Sequence, residues 1–123
     1  MQARAISWAG TRTRRASEMV DFLERVLGLS RTHTSPGIVS LTTVDGDTVE
    51  VFTVDEPDHG HFTTGPVVGL LVDDVEGGRR QLEQAGVELL GSVERGGGMM
   101  WQHFRAPDGN VWEITRRAES NGQ

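Results

Sequence analysis

The stretch PDGNVWEITR, residues 107–116, decides the fold, because the chain carries a near copy of it at half its length. VDGDTVEVFT, residues 44–53, aligns so that Asp45-Gly46 falls on Asp108-Gly109 and Glu50 falls on Glu113, an offset of 63 in a chain of 123 residues. Each is a turn dipeptide feeding a strand rich in β-branched or aromatic residues, with one glutamate five positions after the aspartate. Recurrence at a fixed period predicts a duplicated structural unit.

Working outward, each copy is preceded by a helical pattern that runs into a glycine. SEMVDFLERVLGL (17–29) sets Met19, Val20, Leu23, Val26 and Leu27 on one stripe, with Ser17 as the expected N-cap and Gly28 as the C′ residue. DDVEGGRRQLEQAGVEL (73–89) puts Val75, Leu82 and Ala85 on its buried side, with Asp73 or Asp74 as the cap. Gly77-Gly78 weakens this helix, at roughly 1 kcal/mol per glycine relative to alanine. Strands are expected at about 4–11, 29–34, 37–44, 48–54, 66–72, 87–93, 99–105 and 110–116. Each half therefore reads β-α-β-β-β, an α+β chain forming one domain over 1–123. Its first module spans 4–54, a linker loop 55–65, its second module 66–116, and a tail 117–123.

Period-two alternation assigns faces. Val49 and Val51 share one side of their strand, and Trp112 and Ile114 share one side of theirs, both suited to packing under a helix. Glu50 and Glu113 point the other way, with Thr48, Phe52, Val111 and Thr115.

Composition narrows the function classes. Net charge is −6 with a pI near 5.1, which argues against nucleic acid and favours cationic ligands through long-range steering. The short basic cluster Arg12, Arg14 and Arg15 reads as a solvated turn, with an anion site as its alternative. The absence of cysteine excludes disulfides, thiolate metal sites and a cysteine nucleophile. No apolar run reaches the ~20 residues of a membrane helix, and MQARAISWAG lacks a secretory h-region, so no membrane partner and a cytoplasmic location are expected.

The paired β-α-β-β-β units, the VLGL closing the first helix and the PDGNVWEI ending resemble the vicinal oxygen chelate superfamily over residues 4 to 116. That superfamily includes glyoxalase I, extradiol dioxygenases, methylmalonyl-CoA epimerase, fosfomycin-resistance enzymes and bleomycin-resistance proteins. The resemblance implies an open cup-shaped mixed sheet with helices on the outer face, a ligand cavity on the inner face, and a homodimer. It also implies where a metal would be held: first-strand positions falling on Trp8 and Val67, last-strand positions falling on Glu50 and Glu113. Tryptophan and valine are not ligands, so the resemblance is closest to the metal-free bleomycin-resistance branch, and no cofactor is expected.

With the seventh strand in that frame, Trp101, His103 and Arg105 face the cavity, while Met100, Gln102 and Phe104 face the helix. The expected ligand-binding set is Trp8, Glu50, Trp101, His103 and Glu113. Two indoles and two carboxylates suit a small organic molecule, cationic or aromatic, held by sequestration in the manner of antibiotic resistance. Each residue has a plainer reading: core or lining for Trp8 and Trp101, a solvated or Arg105-paired face for the glutamates, a structural role for His103. Trp112 reads as core.

One alternative is an enzyme of the superfamily (lyase, isomerase or dioxygenase) using His103 and Glu113 as acid and base. Another is an atypical divalent-metal site built from Glu50, His103 and Glu113. His59 and His61, in DHGHF, form a His-x-His pair that reads as a flexible loop tip, with adventitious metal binding as its alternative. ERGGGMM (94–100) has no following helix and reads as a flexible hairpin.

Overall fold

The computed structural model describes residues 1–106, 108 and 110–117. Its element order is β1 (Ala5–Arg12), α1 (Ala16–Arg25), β2 (Ser30–Ser35), β3 (Ile38–Thr42), β4 (Thr48–Phe52), β5 (Val67–Leu71), α2 (Val75–Gln84), β6 (Glu88–Gly96), β7 (Met99–Arg105) and β8 (Val111–Arg117), with a short 3₁₀ turn at Pro57–His59. This is the expected α+β class, two β-α-β-β-β modules in succession. Pro107 and Gly109 of the second turn, and residues 118–123 of the expected tail, lie outside the described residues.

The contacts divide the chain into two compact units, Trp8–Val67 and Met1–Ser7 together with the chain from Val68 on. In the first unit the strands lie in the order β2-β3-β4-β1. β1 runs parallel to β4 with Gly10 opposite Glu50, and β3 runs antiparallel to β4 with Ser40 opposite Glu50. Helix α1 covers one face: Val20 and Leu23 bury against Leu41 and Val51, flanked by Met19, Val39 and Val49. Each such burial stabilises by about 1.5–3 kcal/mol. The helix closes through Gly28 at φ 76°, where the Leu29 amide donates to the Leu23 carbonyl.

In the second unit the order is β5-β8-β7-β6. β5 is parallel to β8 with Gly69 opposite Glu113, and β7 is antiparallel to β8 with His103 opposite Glu113. Helix α2 buries Val75 against Val72, Phe104 and Ile114, with Leu82, Met100 and Trp112 packed around them. Asp74 caps it by accepting the Gly77 amide, and Gly86 at φ 78° ends it as Gly28 ends α1. Gln102, fully buried on the helix side, accepts from Arg79 Nη1 (2.5 Å) and donates to the Gly91 carbonyl (3.0 Å). Gly91, at φ 79°, sits in the irregularity that shifts the β6–β7 register.

Several local expectations are corrected. Both helices are shorter than their patterns. α1 begins at Ala16, one residue before Ser17, so Ser17 falls inside the first turn and the N-cap position goes to Arg15 without a side-chain cap. Because α1 ends at Arg25, Val26 and Leu27 leave the helical stripe and are exposed. Ala85 is likewise the exposed C-cap of α2. The glycine-rich hairpin, by contrast, is where the sequence put it, closing in a two-residue turn, Gly97-Gly98 with both φ positive, between the paired Gly96 and Met99.

Candidate functional site

The face of each unit turned away from its helix carries the glutamate. In the first, both Glu50 carboxylate oxygens are engaged by neutral donors. Trp8 Nε1 donates to Oε1 at 2.9 Å and Ser40 Oγ donates to Oε2 at 2.5 Å. Strand register produces this arrangement, because Ser40 is the direct cross-strand neighbour of Glu50 and Gly10 is its neighbour on β1. A side chain at Gly10 would run into the Trp8 indole and approach Phe52 to 3.1 Å. The missing Cβ is what lets Trp8 fold along its own strand and reach the carboxylate. Glu50 and Trp8 are partly exposed and Ser40 is buried. Among the described residues no arginine, lysine or histidine forms an ion pair with Glu50.

An aromatic cluster flanks this carboxylate. Trp8 lies 6.5 Å from Phe52 and 6.4 Å, edge-on, from Phe62. His59 stacks on Phe52 at 4.0 Å with an interplanar angle of 20°. Its Nδ1 is 2.6 Å from an oxygen of Glu56, whose side chain is 4% exposed. The expectation of a loose tip therefore fails for His59: a buried carboxylate and a ring face hold it in place.

In the second unit, His103 Nε2 lies 2.9 Å from Glu113 Oε2, the side chains being 10% and 6% exposed. A Cβ at Gly69 would come within 2.9 Å of Glu113 Oε1, so glycine again clears space opposite the glutamate. Trp101 lies on the same face, opposite Thr115 in register and partly buried. Its ring covers Gly96, where an added Cβ would meet Cη2 at 3.2 Å. Arg105 reaches Glu88 across the strand pair at 3.6 Å. Met100, Gln102 and Phe104 face α2, as the resemblance implied. Trp112 packs on the helix side, its Nε1 donating to Asp108 Oδ2 at 3.2 Å.

The structure thus brings together Trp8 with Glu50, and His103 with Glu113. Sequence reasoning missed Ser40, the two clearing glycines, and the Glu56–His59 pair. Gly10 and Gly69 did carry a signal, since glycine inside a strand marks a close approach. Ser40 carried none, because its importance depends on register. Among the described residues no group of three or more histidine, aspartate or glutamate side chains is placed to hold a metal ion. Among the described residues no helix is long and apolar enough to cross a membrane.

Comparison with known proteins follows this geometry. The sequence profile of the Glyoxalase/Bleomycin resistance protein/Dioxygenase superfamily matches residues 5–114. No curated protein matches the chain significantly. Among solved structures, a member of that superfamily from Vibrio splendidus 12B01 is 18% identical with a TM-score of 0.66, over 93% of this chain and 98% of that one. Methylmalonyl-CoA epimerase from Mycobacterium tuberculosis is 18% identical with a TM-score of 0.70, over 95% of this chain and 90% of that one. The Mn(II)-bound glyoxalase from Novosphingobium aromaticivorans is 18% identical with a TM-score of 0.73, over 98% of this chain but only 42% of that one. At these identities the likeness shows a shared fold.

Proposed function

We propose, from the premise that the chain belongs to the Glyoxalase/Bleomycin resistance protein/Dioxygenase superfamily, that it binds a small organic cation at Glu50 and sequesters it without a resident metal. The observation that carries this reading is a partly exposed carboxylate whose partners, Trp8 and Ser40, are both neutral donors. Those bonds orient the group and leave its charge uncompensated. An ammonium or quaternary ligand nitrogen supplies the missing charge, and the partly exposed Trp8 indole, backed by the buried Phe52 ring, supplies aromatic surface for its body. Hydrogen bonds to a charged group contribute about 1.5–3 kcal/mol each. The ligand class is an antibiotic-like or cationic aromatic compound.

The superfamily's metal shell does not match this donor set. The indole N–H is a donor only, it points at Glu50, and the corresponding residue of the second module is the buried apolar Val67. A catalytic divalent ion takes three or more nitrogen or oxygen protein ligands. Isothermal titration of metal-stripped protein with N-methylquinolinium and neutral quinoline tests the reading: the cation binds the parent more tightly, and Glu50→Gln removes that preference.

A second reading rests on the His103–Glu113 pair, which is an acid–base dyad in form: a carboxylate holding one nitrogen of an otherwise buried imidazole. Under it the protein is a metal-free isomerase or lyase, and His103→Ala lowers turnover by ~10²-fold or more. Under the binding reading the same substitution only grades the affinity. The likeness to an epimerase supports testing isomerisation first.

A further inference from the structure

The basic cluster Arg12, Arg14 and Arg15 is built into an open cleft of about 450 Å³, lined also by Thr13, Phe62 and Thr64. The cleft lies where β1 hands over to α1, and among the described residues no acidic residue lines it. That concentration of positive charge stands out in a chain of net charge −6. We infer that this cleft is an anion site that takes the phosphate group of a small phosphate-bearing ligand.

Three observations carry the inference. Arg12 commits Nη2 to the Val54 carbonyl at 2.9 Å, which pins the guanidinium at the cleft wall. Its Nε is buried with no hydrogen-bond partner among the described residues, so the rest of the guanidinium is what the cleft can engage. Arg14 is exposed and no carboxylate among the described residues pairs with it, so its charge is available. Arg15, by contrast, pairs with Glu18 at 2.5 Å, and its guanidinium holds the Glu18 carboxyl below the usual range.

Helix α1 adds to this. It runs for 10 residues from Ala16, and its N-cap residue, Arg15, lines the cleft and makes no side-chain cap. Thr13 and Thr64 line the cleft with hydroxyl groups, the Thr13 oxygen also accepting from the Arg15 amide at 3.0 Å. A doubly charged oxyanion matches two guanidiniums and several short donors better than a carboxylate does. Phe62 offers one apolar wall for an organic substituent on the phosphate.

The test is isothermal titration of the full chain at fixed ionic strength with inorganic phosphate, phenyl phosphate and acetate. Saturable binding of either phosphate, at least about 10-fold tighter than acetate, is expected. Tighter phenyl phosphate assigns an organic ester, and equal affinities assign free phosphate. Arg14→Gln, at an exposed position, is expected to weaken binding about 10-fold without changing the circular dichroism spectrum. Glu50→Gln is expected to leave phosphate binding intact, which separates this site from the cation site. Absence of saturable binding, acetate binding as well as phosphate, or parent-like binding by both Arg14→Gln and Arg12→Gln overturns the inference.

Discussion

At the scale of single residues, the account turns on how a carboxylate on a sheet face is partnered. Alternation in the sequence was enough to set Glu50 and Glu113 away from the helices, and the structure agrees. It was not enough to find Ser40 or to see that Trp8 donates to Glu50, since both depend on which residues of separate strands end up opposite. Gly10 gives a sharp prediction. Gly10→Ala brings a methyl group into the Trp8 indole, displaces it from Glu50, and lowers affinity for N-methylquinolinium by about 10-fold in a titration, with the quinoline affinity changed much less. Ser40→Ala removes one of the two donors, at a cost of about 1.5–3 kcal/mol of stability in chemical denaturation, and frees the carboxylate to rotate.

At the scale of elements, both helices, the hairpin turns and the helix-ending glycines were legible, because they rest on local rules: apolar period, capping chemistry and positive φ. Helix ends were read too long, since Val26, Leu27 and Ala85 look apolar in sequence yet fall in closing turns where the helical stripe has stopped. Gln102 shows what pattern alone leaves out. A polar residue on the helix side of β7 looked out of place, and its partners come from 23 residues away on α2 and from a bulge glycine on β6. Gln102→Leu leaves Arg79 and the Gly91 carbonyl without this partner. It is expected to cost about 1–3 kcal/mol, read as a lower urea midpoint at unchanged slope.

At the scale of the whole molecule, family membership and the fold shared with an epimerase and a glyoxalase leave the chemistry open, because one architecture serves several reactions. The reading of this chain rests on its own residues: a tryptophan N–H and a serine hydroxyl around Glu50, together with valine at the matching first-strand position of the second module. If no resident metal supports that arrangement, treatment with a chelator leaves the melting temperature unchanged, while N-methylquinolinium raises it by mass action. A drop in melting temperature on chelation that is restored by one added divalent ion contradicts the metal-free account.

The central claim is tested most directly by the calorimetric comparison of N-methylquinolinium with quinoline on parent and Glu50→Gln protein, both stripped of metal. The account predicts that the parent prefers the cation by about 10-fold and that Glu50→Gln binds the two probes equally. Equal binding by the parent, or a cation preference that survives Glu50→Gln, would contradict it.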